Sequence, residues 1–373
     1  MTVGSGRPRV LLLTPDFPPA TGGIQLLLHR FATLASRVRV SVVTRRDHAD
    51  AADWDARSGL HVRRSPAVPG SRRAGLVALN ALALVEARRL RPDAILCGHV
   101  VGAPAAVIAR RLGGTPIVAY LYADEAPAQP QLARLVLRRA STTIAVSRYT
   151  RDLALGLGAP AARVAVVPPG VDLPAARRAR GPRATQPTIV TVARLTDRYK
   201  GHDVMLAALP AIRDRVPGAR WVVVGDGPLR GELEARAHAL GLDGAVDFAG
   251  ALPDAERDAW LDRAHVFAMP SRLPPSGAGG EGFGIVYLEA GAHGLPVLAG
   301  AVAGAPDAVV DGETGVLVAP DDVGAVADAV AGLLLDRDRA AKLGAAGARR
   351  AAQLSWPRMV AAVEDVLLEA IAR

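Results

Sequence analysis

The sequence predicts an α/β protein made of two Rossmann-like, doubly wound domains in tandem, and three observations lead there. At 373 residues the chain is longer than one hydrophobic core usually serves. Apolar runs alternate with helical segments from end to end, the pattern of parallel βαβ units. Between two such series lies "DLPAARRARGPRATQPT", residues 172–188, which is rich in Pro, Ala and Arg, has no periodicity and reads as a linker. The expected domains are therefore 1–171 and 189–353, followed by a terminal helix at 354–373.

In chain order, the first domain is expected to hold strands at 10–14, 38–44, 94–98, 117–121, 143–146 and 164–167, short runs rich in aliphatic and β-branched residues. Helices near 24–36, 74–90, 102–112, 130–140 and 148–157 connect them. The second domain repeats the scheme with strands at 189–193, 221–225, 246–249, 266–269, 296–299 and 315–318 and helices near 201–215, 228–241, 254–263 and 284–293. Helical segments at 321–335, 338–353 and 357–371 close the chain. Ligands of such sheets bind outside the C-terminal ends of the strands, so two in tandem are expected to face a central crevice lined by the loops that follow strands.

Half of the residues are hydrophobic (50%), which fits a well-buried globular enzyme. The apolar part of "RPRVLLLTPDFPP" is too short for a signal peptide, and no stretch reaches the roughly 18 uncharged apolar residues of a membrane span. The single cysteine, Cys97, allows no internal disulfide, so a cytoplasmic location is expected. Residues 1–172 hold 23 Arg and no Lys against 11 acids, a balance of +12, while 173–373 hold 22 basic residues against 25 acids, or −3. A basic first half suits nucleic acid, an anionic membrane surface or a phosphorylated small molecule. Aromatic residues are only 4% and do not interleave with Arg63-Arg64, Arg72-Arg73, Arg88-Arg89, Arg110-Arg111 or Arg138-Arg139, which argues against nucleic acid. An anionic lipid or membrane-surface glycan then stands beside a merely solvated basic face. No partner protein is implied.

Three loops that follow strands have the chemistry of an anion or sugar site. In "TPDFPPATGGIQ", 14–25, Gly22-Gly23 before a helix frees backbone amides to face an anion, although two glycines also make an ordinary tight turn. In "VARLTDRYKGHD", 192–203, Arg194 and Lys200 flank a polar loop, and Lys200 is one of only two lysines, the other being Lys342. A compact ammonium in a chain that otherwise uses Arg suggests a specific task at a phosphate, against the plainer reading of a solvated loop charge. The third loop, "SRLPPSGAGG", runs into "GEGFGIVYLEAG", 280–291, where Gly282, Phe283 and Gly284 are expected to start a helix with their amides as a second anion site.

Two acids flank that helix start. Glu281 lies beside the amides, where it would repel a phosphate but bond sugar hydroxyls. Glu289 falls on the stripe of Ile285, Leu288 and Ala292, expected to be the buried one, and needs a partner there. Two vicinal ribose hydroxyls are one candidate. The competing reading is that both acids cap the helix and pair with an Arg. Taken together, the loops describe a nucleoside diphosphate joined to a sugar.

Further motifs are "GDGP" at 225–228, "VDFAG" at 246–250, "DGETGVLV" at 311–318 and "LSWPRMV" at 354–360. With Gly22-Gly23, the Arg194 to Lys200-Gly201 loop, and Glu281-Gly282-Phe283-Gly284 with Glu289, nearly the whole chain resembles the GT-B-fold glycosyltransferases of family GT4, a large group of retaining hexosyltransferases. "DFPPATGGIQ" and the long loop before Glu289 are most similar to the phosphatidylinositol-mannoside mannosyltransferases, which use GDP-mannose. The resemblance implies that Arg194, Lys200 and Glu281 are catalytic, with Arg194 and Lys200 holding the diphosphate and stabilising the leaving group. It further implies that Gly23 presents its amide to the phosphates, that Glu281 and the amides of Phe283 and Gly284 hold the sugar, and that Gly22, Gly282 and Ile285 also belong to the donor site. Glu289 is implied to hold the ribose, Phe248 to lie against the base, and the last helix to cross back onto the first domain. Asp16, His99 and Asp124 fall on the acceptor or sugar side. One departure stands out: where relatives carry a His-Gly-His-Glu type stretch after the fourth strand, this chain has Tyr122-Ala123-Asp124-Glu125.

The expected chemistry needs neither a metal nor a cofactor. Arg, Lys and amides aimed at the leaving oxygen supply the charge, each such donor being worth roughly 3 kcal/mol. The Asp-x-Asp at Asp336-Arg337-Asp338 reads as surface helix charge. Front-face displacement would retain the α-linkage. Two alternatives stay open: a UDP-sugar enzyme acting on a small soluble acceptor such as an aminocyclitol, and a noncatalytic nucleotide-sugar or lipid-headgroup binding protein.

Overall fold

The apolar runs form the strands of two separate, wholly parallel sheets. A computed structural model describes residues 6–68, 70–174, 183–277 and 279–373. The middle of the expected linker, 175–182, and Ala278 of the third loop lie outside the described residues.

The first sheet is built from β1 (Arg9–Leu13), α1 (Gly23–Leu34), β2 (Arg39–Arg45), α2 (Ala51–Ser58), β3 (His61–Ser65), α3 (Arg72–Leu90), β4 (Ala94–Cys97), α4 (Ala103–Gly113), β5 (Ile117–Leu121), α5 (Glu125–Ala128), α6 (Pro130–Leu137), β6 (Thr142–Ala145), α7 (Arg148–Gly156) and β7 (Val164–Val166). Its strand order is β3-β2-β1-β4-β5-β6-β7. The second is built from β8 (Thr188–Val192), α8 (His202–Arg215), β9 (Arg220–Val224), α9 (Arg230–Ala239), β10 (Val246–Gly250), α10 (Asp254–Arg263), β11 (Val266–Met269), α11 (Ile285–Ala292), β12 (Val297–Gly300), α12 (Ala305–Ala308), β13 (Gly315–Val318), α13 (Val323–Leu335) and α14 (Arg337–Gln353). Its order is β10-β9-β8-β11-β12-β13. The helix α15 (Trp356–Ala372) follows. Contacts divide the chain into two compact units, Val171–Ser355 being one and the residues up to Gly170 with Trp356–Arg373 the other.

Central strands of a parallel sheet are covered on both faces and read as unbroken apolar runs. β4, β5, β11 and β12 are buried at every residue. Each fully buried Leu of β1 contributes about 2 kcal/mol by leaving water. The elements absent from the sequence reading are those without such a signal. β3 is "HVRRS", an edge strand whose side chains alternate between exposed and half-buried before Ser65, and α2, α5 and α12 are short. The strand before Tyr122 is therefore the fifth in its sheet, not the fourth.

The last helix joins the first unit through a buried apolar face and one buried carboxylate. α15 packs on α1 and on β4 and β5, and Glu364, 2% exposed, accepts from the backbone N–H groups of Ser36 (2.8 Å), Arg37 (2.6 Å) and Val38 (3.3 Å). These three amides form the turn between α1 and β2, which has no partner of its own there. Arg37 adds its guanidinium to Glu364 (3.3 Å) and Asp365 (2.7 Å).

Removing the carboxylate strands three donors at a buried contact. Glu364→Ala is expected to destabilise the first unit by about 3 kcal/mol, read as a lower urea midpoint at unchanged slope. An unchanged midpoint would show that α15 is held by packing alone.

Candidate active site

A parallel sheet that grows to one side of its opening strand and then to the other leaves a crevice where the direction reverses. In the second unit that point lies between β8 and β11. The loop after β8 carries Arg194 and Lys200, and the loop after β11 carries Glu281. Lys200 Nζ donates to Glu281 Oε2 at 2.6 Å, with 14% and 12% of the two side chains exposed. Burial alone would depress the lysine, but Glu281 more than offsets this and holds the ammonium above the ordinary lysine range. The Nζ also stands 4.9 Å from the centre of the Tyr199 ring.

Two glycines make this meeting possible. Gly201 has φ +77°, and a Cβ there would lie 2.3 Å from the carbonyl oxygen of Pro270, so only glycine lets the first loop rest on the end of β11. Gly284, φ +91°, is the N-cap of α11, and a Cβ there would strike the Tyr287 ring at 2.2 Å. Tyr287 in turn donates to the Met269 carbonyl (2.9 Å) and shares a hydrogen bond with Ser271 Oγ (2.7 Å), locking the start of α11 to β11. Arg272 ties the loops a second time, its N–H donating to the Tyr199 carbonyl (2.7 Å) and its guanidinium to Asp203 (2.7 Å).

The helix opens at Ile285, so Gly282, Phe283 and Gly284 lead into it and do not form its first turn as expected. The Phe283 side chain is buried, leaving its backbone as the part offered to a ligand. Among the described residues, the N–H groups of Phe283, Gly284, Ile285 and Val286 meet no acceptor, so four donors stand open at this end of α11. Arg194 is 62% exposed, its nearest carboxylate oxygen being that of Asp197 at 4.0 Å.

Glu289 requires a correction. The buried residues of α11 are Tyr287, Leu288, Ala290, Gly291 and Ala292, whereas Ile285 and Glu289, four residues apart, share a half-buried flank. The helix is apolar nearly all round, so the spacing had little contrast to work with. Burial raises the Glu289 pKa and the charge of Arg257 opposes the rise. Yet Arg257 is engaged with Asp254 and Asp258, both at 2.9 Å. Among the described residues, the Glu289 carboxylate has no hydrogen bond and no ion pair, while its carbonyl accepts from the His293 N–H (3.2 Å). Phe248 lies on the edge strand β10, two strands from β8, half-buried, with its carbonyl accepting from Arg230 at 2.9 Å. Asp336 accepts from the Arg339 N–H (2.9 Å) and so caps α14.

The first unit has its own switch point, between β1 and β4. Gly22 is the N-cap of α1 and Gly23 its first residue. Asp16 follows β1 and His99 follows β4, with His99 Nε2 3.7 Å from Asp16 Oδ2. Glu125, next to the exposed Asp124, holds the arrangement from the end of β5. It accepts from the N–H groups of Val100 and Tyr122, both at 2.8 Å, and its Oε1 lies 3.0 Å from His99 Nδ1. Burial pushes Glu125 up to about 8, against the pull of its two backbone donors, and burial with the charge of Arg72 pushes His99 down to about 4. Sequence reasoning missed Glu125 and Tyr287 as organising groups. The available signals were an acid at the end of a wholly buried strand and a tyrosine in the first turn of an apolar helix.

The family described as "Glycosyltransferase Family 4" matches residues 21–174, and "Glycosyl transferases group 1" matches residues 173–350. The chain is 40% identical to a GDP-mannose-dependent alpha-(1-6)-phosphatidylinositol monomannoside mannosyltransferase of Mycobacterium tuberculosis, over 96% of this chain and 98% of that one. It is 31% identical to the GDP-mannose-dependent monoacylated alpha-(1-6)-phosphatidylinositol monomannoside mannosyltransferase of Corynebacterium glutamicum, over 96% and 97%. Among solved structures, Anabaena HepE in complex with UDP and glucose superimposes with a TM-score of 0.79 at 22% identity, over 97% of this chain and all of the other (100%), a likeness of fold.

An unpartnered acid whose pKa is raised by burial costs stability as it ionises. Its contribution is present below the ordinary glutamate value and lost as pH rises through the folded value. Glu289→Gln is therefore expected to leave the ligand-free protein as stable as wild type near pH 4 and to raise its Tm at pH 7 to 8. A lower Tm at neutral pH would show that Glu289 serves the fold.

Proposed function

The chain belongs to glycosyltransferase family 4, and from that premise we propose that it transfers mannose from GDP-mannose to a phosphatidylinositol monomannoside, forming an α-(1→6) linkage. The observation that carries the reading is Lys200, fixed 2.6 Å from Glu281 at the switch point that also holds the start of α11. An exposed cation, a fixed cation and a row of open amides in one loop cluster suit a diphosphate that must leave with added charge. The donor and acceptor rest on likeness to the mannosyltransferases over nearly the full length of both chains.

As the bond from mannose C1 to the diphosphate breaks, charge grows on the departing oxygen. Lys200, Arg194 and the α11 amides stabilise it, each such donor being worth roughly 3 kcal/mol. Glu281, oriented by Lys200, accepts from the mannose hydroxyls. The carboxylate of Glu289 accepts from the two ribose hydroxyls and gains the partners it lacks in the protein. The acceptor hydroxyl attacks C1 on the face the diphosphate leaves and passes its proton to the leaving oxygen, which retains the α configuration.

A lipid acceptor is supported by the surface of the first unit. α3 exposes Arg73, Val77, Ala81, Val85 and Arg88 along one face, and the neighbouring α4 exposes Ile108, Arg111 and Leu112. An apolar stripe with Arg around it suits an anionic bilayer. Among the described residues no helix is long and apolar enough to cross a membrane, so the contact proposed is peripheral.

With acceptor in anionic vesicles, purified protein is expected to use GDP-mannose in preference to UDP-sugars and to give an α-(1→6) product by NMR. Its rate should fall steeply with salt. Arg194→Ala, at an exposed site, should fold normally and lose at least about tenfold in kcat. Transfer only from a UDP-sugar to a soluble polyol would favour that alternative, and tight donor binding without turnover would favour a binding protein.

A further inference from the structure

We infer that Tyr199 is a positioning residue for the transfer reaction, its ring face holding the Lys200 ammonium so that one N–H meets Glu281 and another stays open to an oxygen of the donor diphosphate. This rests on the glycosyltransferase reading above and deepens it. Tyr199 touches no reacting atom in this scheme and acts through Lys200.

Neighbouring residues on a helical turn ordinarily point apart. Tyr199 and Lys200 are neighbours on the short turn Arg198–Lys200, yet the lysine Nζ lies 4.9 Å from the centre of the tyrosine ring. The lysine stem therefore bends back over the preceding side chain. Backbone bonds fix the turn from which both project. The Lys200 N–H donates to the Asp197 carbonyl (3.1 Å), the Gly201 N–H to the Arg198 carbonyl (3.2 Å), and the Tyr199 carbonyl accepts from the Arg272 N–H (2.7 Å). That last bond ties the ring's backbone to the loop after β11, which also brings Glu281.

An ammonium has three N–H donors. Among the described residues, Glu281 is the one hydrogen-bond partner of Nζ, at 2.6 Å. The negative face of the ring attracts the positive centre from a second side, which leaves a third direction for a ligand. A four-carbon stem gives lysine more rotamer freedom than nearly any other side chain, and a single contact at its tip would let Nζ swing about the carboxylate. The ring removes that swing without adding an acceptor that competes with the diphosphate. Only 14% of the lysine side chain is exposed, and the attraction of a cation to a ring strengthens as the cation loses water. A ring that merely filled space beside the lysine would be replaceable by any apolar side chain of similar size.

Two lysines in the whole chain make the test direct, because lysine-labelled protein gives NMR signals for Lys200 and Lys342 alone, and Lys342→Arg assigns them. In the ligand-free protein the Lys200 Hε protons should be shifted upfield by the ring, and Tyr199→Leu should abolish that shift. Tyr199→Leu is also expected to lower kcat about fivefold while calorimetry finds the Kd for GDP-mannose changed by less than about twofold, since the bound diphosphate itself steadies the lysine until charge begins to grow. Tyr199→Phe, which keeps the ring, should recover most of the loss. Phenylalanine carrying one, two or three ring fluorines at position 199 should lower kcat stepwise as the ring face loses its negative charge, and these variants keep the ring's shape and decide the matter even if Tyr199→Leu fails to fold. An unshifted Lys200 signal in wild type, a kcat that does not fall along the fluorinated series, or equal losses in Tyr199→Phe and Tyr199→Leu would overturn the role of the ring. Wild-type protein that binds no GDP-mannose would overturn the donor reading instead, with the ligand-free lysine signals still deciding whether the ring holds Lys200.

Discussion

Where a parallel sheet grows first to one side of its opening strand and then to the other, the loops after two adjacent strands diverge and a crevice opens between them. Both sheets here reverse in this way, at β1 and β4 in one unit and at β8 and β11 in the other. The chemically distinctive side chains collect at these two points. Lys200 meets Glu281 across one, and His99 stands beside Asp16 across the other. Strand order, set by how the apolar runs pack, thus decides which residues far apart in sequence become neighbours.

The acids show how strictly burial is answered elsewhere. Glu364 has three backbone donors and an arginine. Glu125 has two backbone donors and an imidazole. Glu86, 1% exposed, takes two bonds from Arg89 and sits 3.3 Å from Arg63. Glu281 has Lys200. Glu289, half-buried, is the one in this set whose carboxylate has no bonded partner and only the field of Arg257. In the function proposed above, the ribose hydroxyls of the donor supply the partners this carboxylate lacks.

Much of the fold was legible because parallel strands buried on both faces leave unbroken apolar runs, as in β4, β5, β11 and β12. The edge strand β3 left no such mark, since "HVRRS" is half solvated and its position depends on pairing with β2. Within the site, Arg194, Lys200 and Glu281 stood out by residue type and by their glycine-rich or polar loops. Of the expected buried stripe, Leu288 and Ala292 are buried and Ile285 and Glu289 only half-buried, because α11 is apolar nearly all round and its buried face is centred further round, and Gly284 is a cap rather than a helical residue. Glu125 and Tyr287 were missed for a different reason. Their importance lies in hydrogen bonds to Val100 and Met269, residues 25 and 18 positions away, which no local pattern announces.

The central claim is that the β8 and β11 loops with the start of α11 form the donor site. Hydrogen exchange with and without GDP-mannose tests it most directly. The expected result is strong protection at residues 283–286, whose open amides become hydrogen-bonded to the donor, and at 194–201, which the bound diphosphate covers. Unchanged exchange in both segments at saturating donor would contradict it.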